Sequence, residues 1–203
     1  MKYLAIDTSG KALTIVINVD GKYQTFHDAE CGINHSVNLM PRLEELIENC
    51  GVKICELDFI ASVVGAGSFT GIRIGVSTVK ALCLAYNIPA VSITSFDTIA
   101  YNVKDGNVFA IIDAGHGGVY ACGYEKGKVK VPPHYTLIEQ LKQECAKYTL
   151  ASFQQIAGLD VKVVSTLDGL IKAVEDKKDQ LLFDLDKLEP LYVRKSQAEE
   201  GRK

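Results

Sequence analysis

The sequence is short of the features that mark membrane, secreted and linker-rich proteins. Its 203 residues contain only five prolines, and no hydrophobic run approaches the ~18 residues of a membrane-spanning helix. The first ten residues turn polar too soon for a signal peptide, and no stretch has the serine-glycine composition of a flexible linker. We therefore expect a cytoplasmic globular protein that is not bound to a membrane.

A basic excess is also missing. The chain has 22 basic and 25 acidic residues; residues 1–101 contain 7 of the basic and 10 of the acidic residues, and residues 102–203 contain 15 of each. A protein that binds nucleic acid on its own normally shows a clear positive balance. We therefore expect any contact with nucleic acid to depend on partner proteins.

Metal-binding patterns are absent as well. The six cysteines, at positions 31, 50, 55, 83, 122 and 145, form no C-x-x-C pair, and the histidines at 27, 35, 116 and 134 have no metal-ligand spacing. Without a secretory signal, the cysteines are expected to be buried reduced thiols, with disulfides as the alternative. The sequence predicts no metal and no cofactor.

The first hundred residues alternate between strand and helix patterns. Strands are predicted in YLAIDTS, LTIVINV and KYQTFHD, with the turn Asp20-Gly21 between the last two, and again at 57–64 and 90–93. Helices are predicted at 35–50, at 70–86 and from Thr94 or Ser95 onward. Pro41 is expected to kink the first helix or to mark its true beginning. That helix has a predicted apolar face of Val37, Met40, Leu43, Ile47 and Cys50.

The second half resembles the first. FAIIDAGHGGVYACGYEKGKVKV can be laid on the opening strands with a constant offset of 106 residues, which places Asp113 on Asp7 and Gly127 on Gly21. This favours a duplicated unit over a chance likeness of two hairpins. A helix at 137–148, a strand in VKVV and a helix at 165–177 complete a reduced copy.

We expect an α/β protein with two mixed sheets that are flanked by helices and meet at a cleft. The N-terminal subdomain is predicted at 1–101 and a smaller C-terminal one at 102–203.

The stretch GAGSFTGIRIG, residues 65–75, joins a strand to a helix. Its glycines follow G-x-G-x-x-x-G, one residue longer than the dinucleotide fingerprint, and Ile72 and Arg73 stand where a P-loop needs lysine and serine or threonine. Ser68 or Thr70 is expected to cap the helix. An anion could bind at the helix N-terminus, but the geometry of the turn alone accounts for these residues.

Gly71 and Gly75 lie four residues apart on one face of the predicted helix. Because glycine inside a helix costs about 1 kcal/mol relative to alanine, some close contact is expected to offset them. The neighbour is either a helix of another protein or the chain's own sheet, and the spacing is compatible with both.

GAGSFTGIRIG resembles the GPGSFTGxRIG hallmark of the TsaB (YeaZ) proteins, with Ala66 in place of the usual proline. LAIDTS near the start and LEPLYVRKSQAE near the end match the family in order and approximate spacing, so the resemblance covers the whole chain. IDAGHGGVY departs from a family pattern nearer to IDARxGEVY. The resemblance implies an actin-like ATPase (ASKHA, ribonuclease H-like) fold with two related subdomains.

TsaB proteins are non-catalytic relatives of TsaD, which transfers threonylcarbamoyl to an adenosine beside the tRNA anticodon. The resemblance implies a scaffold that binds and activates TsaD, is joined by the ATPase TsaE, dimerises when TsaD is absent and reaches tRNA only through the complex. It also favours the interpretation of Gly71 and Gly75 as partner contacts. It suggests that Arg73 binds a carboxylate or phosphate where the chain meets its partner. The implied interface or shared nucleotide site comprises His35, Leu39, Met40, Leu43, Gly67, Ser68, Phe69, Thr70, Gly71, Arg73 and Gly75.

The alternative is a nucleotide-binding transferase or kinase of the same fold that acts on its own. TsaD-like chemistry requires a metal held by two histidines four residues apart, whereas Leu39 follows His35 at that spacing. We expect His35 to cap the helix or to make a surface hydrogen bond. Asp7 and Asp113 are the remaining catalytic candidates, because this fold binds hydrated magnesium with carboxylates at two related strand ends. We instead expect Asp7, Ser9 and Asp113 to be relics at the phosphate-loop positions of the fold, so no catalytic residue is predicted. The polar tail KSQAEEGRK is expected to be mobile unless it docks on an assembly.

Overall fold

Two five-stranded mixed sheets form the framework of a computed structural model that describes residues 1–103 and 106–194. The tail KSQAEEGRK therefore lies outside the described residues. The first sheet contains β1 (Lys2–Asp7), β2 (Leu13–Val19), β3 (Lys22–Asp28), β4 (Phe59–Val63) and β5 (Ala90–Ile93). The second contains β6 (Asn107–Gly115), β7 (Gly118–Glu125), β8 (Lys128–Leu137), β9 (Thr149–Ser152) and β10 (Lys162–Val163).

Both sheets have the same topology. Their strand orders are β3-β2-β1-β4-β5 and β8-β7-β6-β9-β10. In each sheet one strand, β2 or β7, runs antiparallel to its neighbours, and the remaining pairs are parallel. The hairpin turns Asp20-Gly21 and Lys126-Gly127 both have positive φ at both residues, as two-residue hairpins of this twist require. The predicted duplication is confirmed.

Within residues 1–103 and 106–194, five helices flank the sheets: α1 (His35–Cys50), α2 (Phe69–Tyr86), α3 (Ser95–Ala100), α4 (Ile138–Glu144) and α5 (Thr166–Lys177). The second copy has no helix between β9 and β10, so α2 has no counterpart there. Strand β9 was missed by the sequence analysis because its four residues, TLAS, are too few to show alternation. Among the described residues, no helix combines the length and apolar composition needed to cross a bilayer.

The last helix of each copy covers the sheet of the other copy. Phe96 and Ile99 of α3 pack in one core with β6 and β7 of the second sheet. Leu170 and Val174 of α5 pack against Tyr3 and other residues on one face of the first sheet. The other face of that sheet carries α1 and α2. A division at residue 101 therefore separates the strands of the two sheets. It does not separate their cores, because α3 packs on the second sheet and α5 packs on the first.

The predicted apolar face of α1 is wrong at its first two positions, Val37 and Met40, whereas Leu43 is buried and Ile47 and Cys50 pack against the core as predicted. Its buried residues are His35, Leu39, Leu43 and Leu46, whereas Val37 and Met40 are 68% and 41% exposed. The helix has apolar residues on two sides, and the side that begins with His35 packs against the strands beneath it. It also continues through Pro41 and starts at His35, directly after a short 3₁₀ turn at Gly32–Asn34.

The six cysteines are free thiols. Four of them are buried, as expected, while Cys50 is half-buried and Cys55 is exposed. Burial raises the pKa of Cys83 to about 11 and that of Cys122 to about 12. Both thiols therefore remain protonated at neutral pH and pack as small apolar groups.

Ser62 on β4 has a fully buried hydroxyl without a hydrogen-bond partner among the described residues. Since an unsatisfied buried polar group destabilises the folded state, Ser62→Ala should raise the free energy of unfolding by about 1 kcal/mol in urea denaturation. The Ser95 hydroxyl, by contrast, lies 2.9 Å from that of Ser9. Ser95→Ala should therefore lower the free energy of unfolding, and an equal loss in both variants would contradict this assignment.

Candidate functional site

The glycine-rich turn before α2 is held against the loop that follows β1. The Ser68 amide donates to the Ser9 carbonyl oxygen at 2.7 Å, and a Cβ atom on Gly67 would overlap that same oxygen. The Ser68 hydroxyl accepts a hydrogen bond from the Gly71 amide at 3.2 Å. Ser68, and not Thr70, is therefore the cap of α2, and Gly67 permits the close approach of the two loops.

Gly71 and Gly75 face the chain's own first sheet. A Cβ atom on Gly71 would overlap the Thr8 carbonyl oxygen, and one on Gly75 would lie 2.5 Å from the Thr8 hydroxyl oxygen. Both glycines are buried. The hypothesis that they clear space for a partner helix is wrong, because Thr8, directly after β1, already occupies that space.

A groove of about 570 Å³ lies between α1 and α2. Met40 and Phe69 contribute apolar surface to it and are 41% and 39% exposed, and Val37, on the same helix as Met40, is exposed as well. The groove combines apolar, hydroxyl and guanidinium groups. Its lining residues are Ser36, Leu39, Met40, Phe69, Thr70, Arg73, Ile74, Ser77 and Thr78.

The C-terminal segment is anchored at one wall of this groove. The Tyr192 ring stacks on Phe69 at 4.9 Å between ring centroids, and Arg73 Nε donates to the Tyr192 hydroxyl at 2.9 Å. The Arg73 guanidinium also lies 3.8 Å from the centroid of the Phe69 ring. The Leu191 amide fixes the segment by donating to Val64 at 2.7 Å. Phe69 and Arg73 are more than a hundred residues from Tyr192 in the chain, so no local sequence signal indicates this cluster.

The predicted interface residues divide into two groups. Met40, Ser68, Phe69, Thr70 and Arg73 are exposed, and Gly67 is half-buried. The remaining residues are buried within the chain: His35, Leu39, Leu43, Gly71 and Gly75. Of these five, Leu39 lines the groove, although it is only 1% exposed.

His35 makes a buried contact and not a surface one. Its Nε2 atom lies 3.1 Å from the Ala12 carbonyl oxygen, and its side chain packs beneath α1. The expectation of a capping or surface role is therefore wrong. The imidazole instead ties the start of α1 to the loop between β1 and β2.

A cleft of about 550 Å³ separates the two sheets and is lined by Asp7, Ser9 and Asp113, as the duplication predicts. Asp7 Oδ1 accepts hydrogen bonds from the Ser9 amide and hydroxyl at 2.8 and 2.7 Å. Burial raises the pKa of the Asp7 carboxyl, and the hydrogen bonds from Ser9 partly oppose this shift. Asp113 is exposed and accepts from the Gly115 amide at 2.8 Å. Each carboxyl thus stabilises the turn that follows its own strand.

The described residues contain no group of three or more histidine, cysteine or acidic side chains placed to hold a metal ion.

Asp97 forms a buried polar junction that the sequence analysis did not predict. Its Oδ2 accepts from Lys177 Nζ at 2.6 Å and from the Thr94 amide at 2.8 Å, and its Oδ1 accepts from the Tyr124 hydroxyl at 2.9 Å. Asp97 is 2% exposed. The junction links α3, α5 and β7, and the Thr94-x-x-Asp97 capping box was its one local signal.

The fold and the cleft define the class of protein. Two mixed sheets with the same strand order, each with a single antiparallel second strand, face each other across a cleft that both copies line. This is the actin-like ATPase arrangement, in which each half has a ribonuclease H-like topology.

Comparison with known proteins gives the family. The sequence model of the family described as "TsaD: tRNA N6-adenosine threonylcarbamoyltransferase" matches residues 14–184. The chain therefore belongs to this TsaD-related family, and within it to the TsaB (YeaZ) proteins.

Three relatives illustrate the match. The chain is 37% identical to the tRNA threonylcarbamoyladenosine biosynthesis protein TsaB of Bacillus subtilis, over 62% of this chain and 56% of that protein. The chain thus spans just over half the length of this relative. Identity to TsaB of Haemophilus influenzae is 28%, over 94% of this chain and 92% of the relative. The structure of YeaZ from Pseudomonas aeruginosa superposes with a TM-score of 0.76 at 22% identity, over 94% of this chain and 99% of that one.

Proposed function

We propose that the chain is a non-catalytic, cytoplasmic subunit of a threonylcarbamoyl transferase complex, and that it binds and activates a TsaD-type transferase. The observation that carries this proposal is the exposed groove between α1 and α2 in a chain of the TsaB family. In this proposal TsaE and tRNA engage through the complex, and a second copy of the chain occupies the groove when the transferase is absent.

The groove has the properties of a protein-binding surface. Its wall presents an aromatic ring and an arginine, which are enriched among the residues that dominate binding energy. Tyr192 holds both Phe69 and Arg73 in place, so less side-chain entropy is lost when a partner binds. Met40 on the opposite helix adds a flexible apolar contact.

Met40→Asp should weaken binding to a TsaD-type transferase by roughly tenfold or more, because the partner would bury an unpaired carboxylate. Size-exclusion chromatography of the mixture and titration calorimetry measure the effect. Leu84→Asp is the matched control, since Leu84 is 77% exposed on α2 and does not line the groove. Unchanged elution of the wild-type chain with the transferase would refute the proposed function, and equal losses in both variants would place the interface elsewhere.

The competing function is nucleotide binding by the isolated chain, which is favoured by the presence of Asp7 and Asp113 in one cleft. Titration of the chain with ATP and Mg²⁺ separates the two functions. A tight, magnesium-dependent signal that Asp113→Asn abolishes would favour an enzyme. Since both carboxyls already stabilise their own turns, we expect no such signal.

A further inference from the structure

A cluster of lysines marks the tip of the β7–β8 hairpin. Lys126, Lys128 and Lys130 are all exposed, and none forms an ion pair within residues 1–103 and 106–194. Lys147 lies beside the hairpin and pairs with Glu125 at 2.8 Å. With four lysines and one glutamate, this hairpin cluster has a net charge of about +3 at neutral pH.

The turn itself does not explain these lysines. The equivalent turn of the first copy has Asp20 at φ 52°, where the second copy has Lys126 at φ 50°. The left-handed region favours aspartate and asparagine over lysine. The Asp20 carboxylate also pairs with the N-terminal amino group at 2.6 Å. The same backbone is therefore built in the first copy without a positive cluster, so the charge of the hairpin cluster requires another explanation.

The hairpin cluster is also well separated from the other two sites. Asn107 at the start of β6 pairs with Glu125, whereas Asp113 near the end of the same strand lines the cleft. The cluster therefore lies at the opposite end of the second sheet from the cleft. The groove between α1 and α2 belongs to the first copy, and none of its lining residues lies on the hairpin.

We propose that the hairpin cluster binds the phosphate backbone of RNA, and specifically of the tRNA that the complex modifies. This inference rests on the proposed function for the identity of the RNA, and it adds a direct contact where the sequence predicted contact only through partners. Lysine ammonium groups are point charges that neutralise phosphates without reading the bases. The contact is therefore independent of sequence and sensitive to salt.

Fluorescence anisotropy of labelled tRNA with the full chain tests this, at salt concentrations between about 50 and 200 mM. The triple variant K126E/K128E/K130E should bind at least roughly tenfold more weakly, and the slope of log K against log salt should fall by about 3, one unit for each lost phosphate contact. K22E/K53E/K172E is the matched control, because it makes the same charge change at three exposed lysines away from the hairpin: on β3, in the segment between α1 and β4, and on α5. The control should bind within about twofold of the wild type, since non-contacting surface charges act weakly through salt.

Equal binding by the triple variant and the wild type, or equal losses in the variant and the control, would overturn the inference. Displacement of tRNA by polyglutamate at equal charge concentration would overturn it in favour of an acidic protein surface. A K126Q/K128Q/K130Q variant with an unchanged melting temperature guards against a folding defect. The triple variant should still co-elute with the transferase. Failure of the wild type to co-elute would refute the proposed function but not the RNA contact.

Discussion

Lys177→Met should lower the free energy of unfolding by about 3 kcal/mol, the lower end of the range for breaking a buried ion pair. The Asp97 carboxylate is 2% exposed and would lose its only cationic partner among the described residues. The Lys177 side chain keeps 20% exposure, so solvent moderates the loss. Urea denaturation followed by circular dichroism measures the change.

Lys178→Met is the control for this prediction. Lys178 is the next residue and pairs with Glu175 at 3.4 Å, but both partners are about one-third exposed. Loss of such a pair changes stability by less than about 1 kcal/mol. A second variant, Asp97→Asn combined with Lys177→Met, should recover part of the loss because the neutral amide does not need a cation. Equal effects of K177M and K178M would show that the junction does not stabilise the fold.

Gly71→Ala should also destabilise the chain by about 3 kcal/mol, as overpacking of a rigid site does. The added methyl group would overlap the Thr8 carbonyl oxygen, which is backbone and cannot rotate away. The Thr8 hydroxyl also donates to the Gly71 carbonyl oxygen at 2.7 Å, so α2 cannot move outward without losing this bond. Denaturant unfolding of the isolated chain measures the effect.

Gly10→Ala is the matched control for Gly71→Ala. Gly10 lies in the same β1–β2 loop, and a Cβ atom there would meet nothing within 4 Å. Its alanine variant should unfold within about 0.5 kcal/mol of the wild type. If Gly71→Ala kept full stability and only weakened binding to the transferase, the glycine would face a partner after all.

The strands and hairpins of this fold were predictable because their signals are local. Alternating apolar residues and the turn at Asp20-Gly21 identify β2 and β3 without any tertiary information. The repeated offset extended this prediction to the second sheet. The limits of α2 also followed from local signals, since Ser68 and Asn87 are good capping residues at its two ends.

Two kinds of feature were not predictable in the same way: which neighbour a helix face contacts, and which residues far apart in the sequence come together. The spacing of Gly71 and Gly75 correctly indicated a close approach, but only the position of Thr8 shows that the neighbour is the chain's own sheet. Asp97 and Lys177 are 80 residues apart, and no periodicity links them. A groove lies between the two helices on which the family resemblance places an interface. Its exposed face depends on how α1 packs against the strands beneath it, which the sequence does not show.

Because α3 packs on the second sheet and α5 packs on the first, neither copy can bury its own sheet without the other. A fragment ending at residue 101 would keep α3 without the second sheet that it covers, and would lack Leu170 and Val174, which shield the first sheet. Each fragment would present a bare apolar sheet face to water. Only fragment complementation, in which the two pieces reunite and return each helix to the opposite sheet, would restore the native packing.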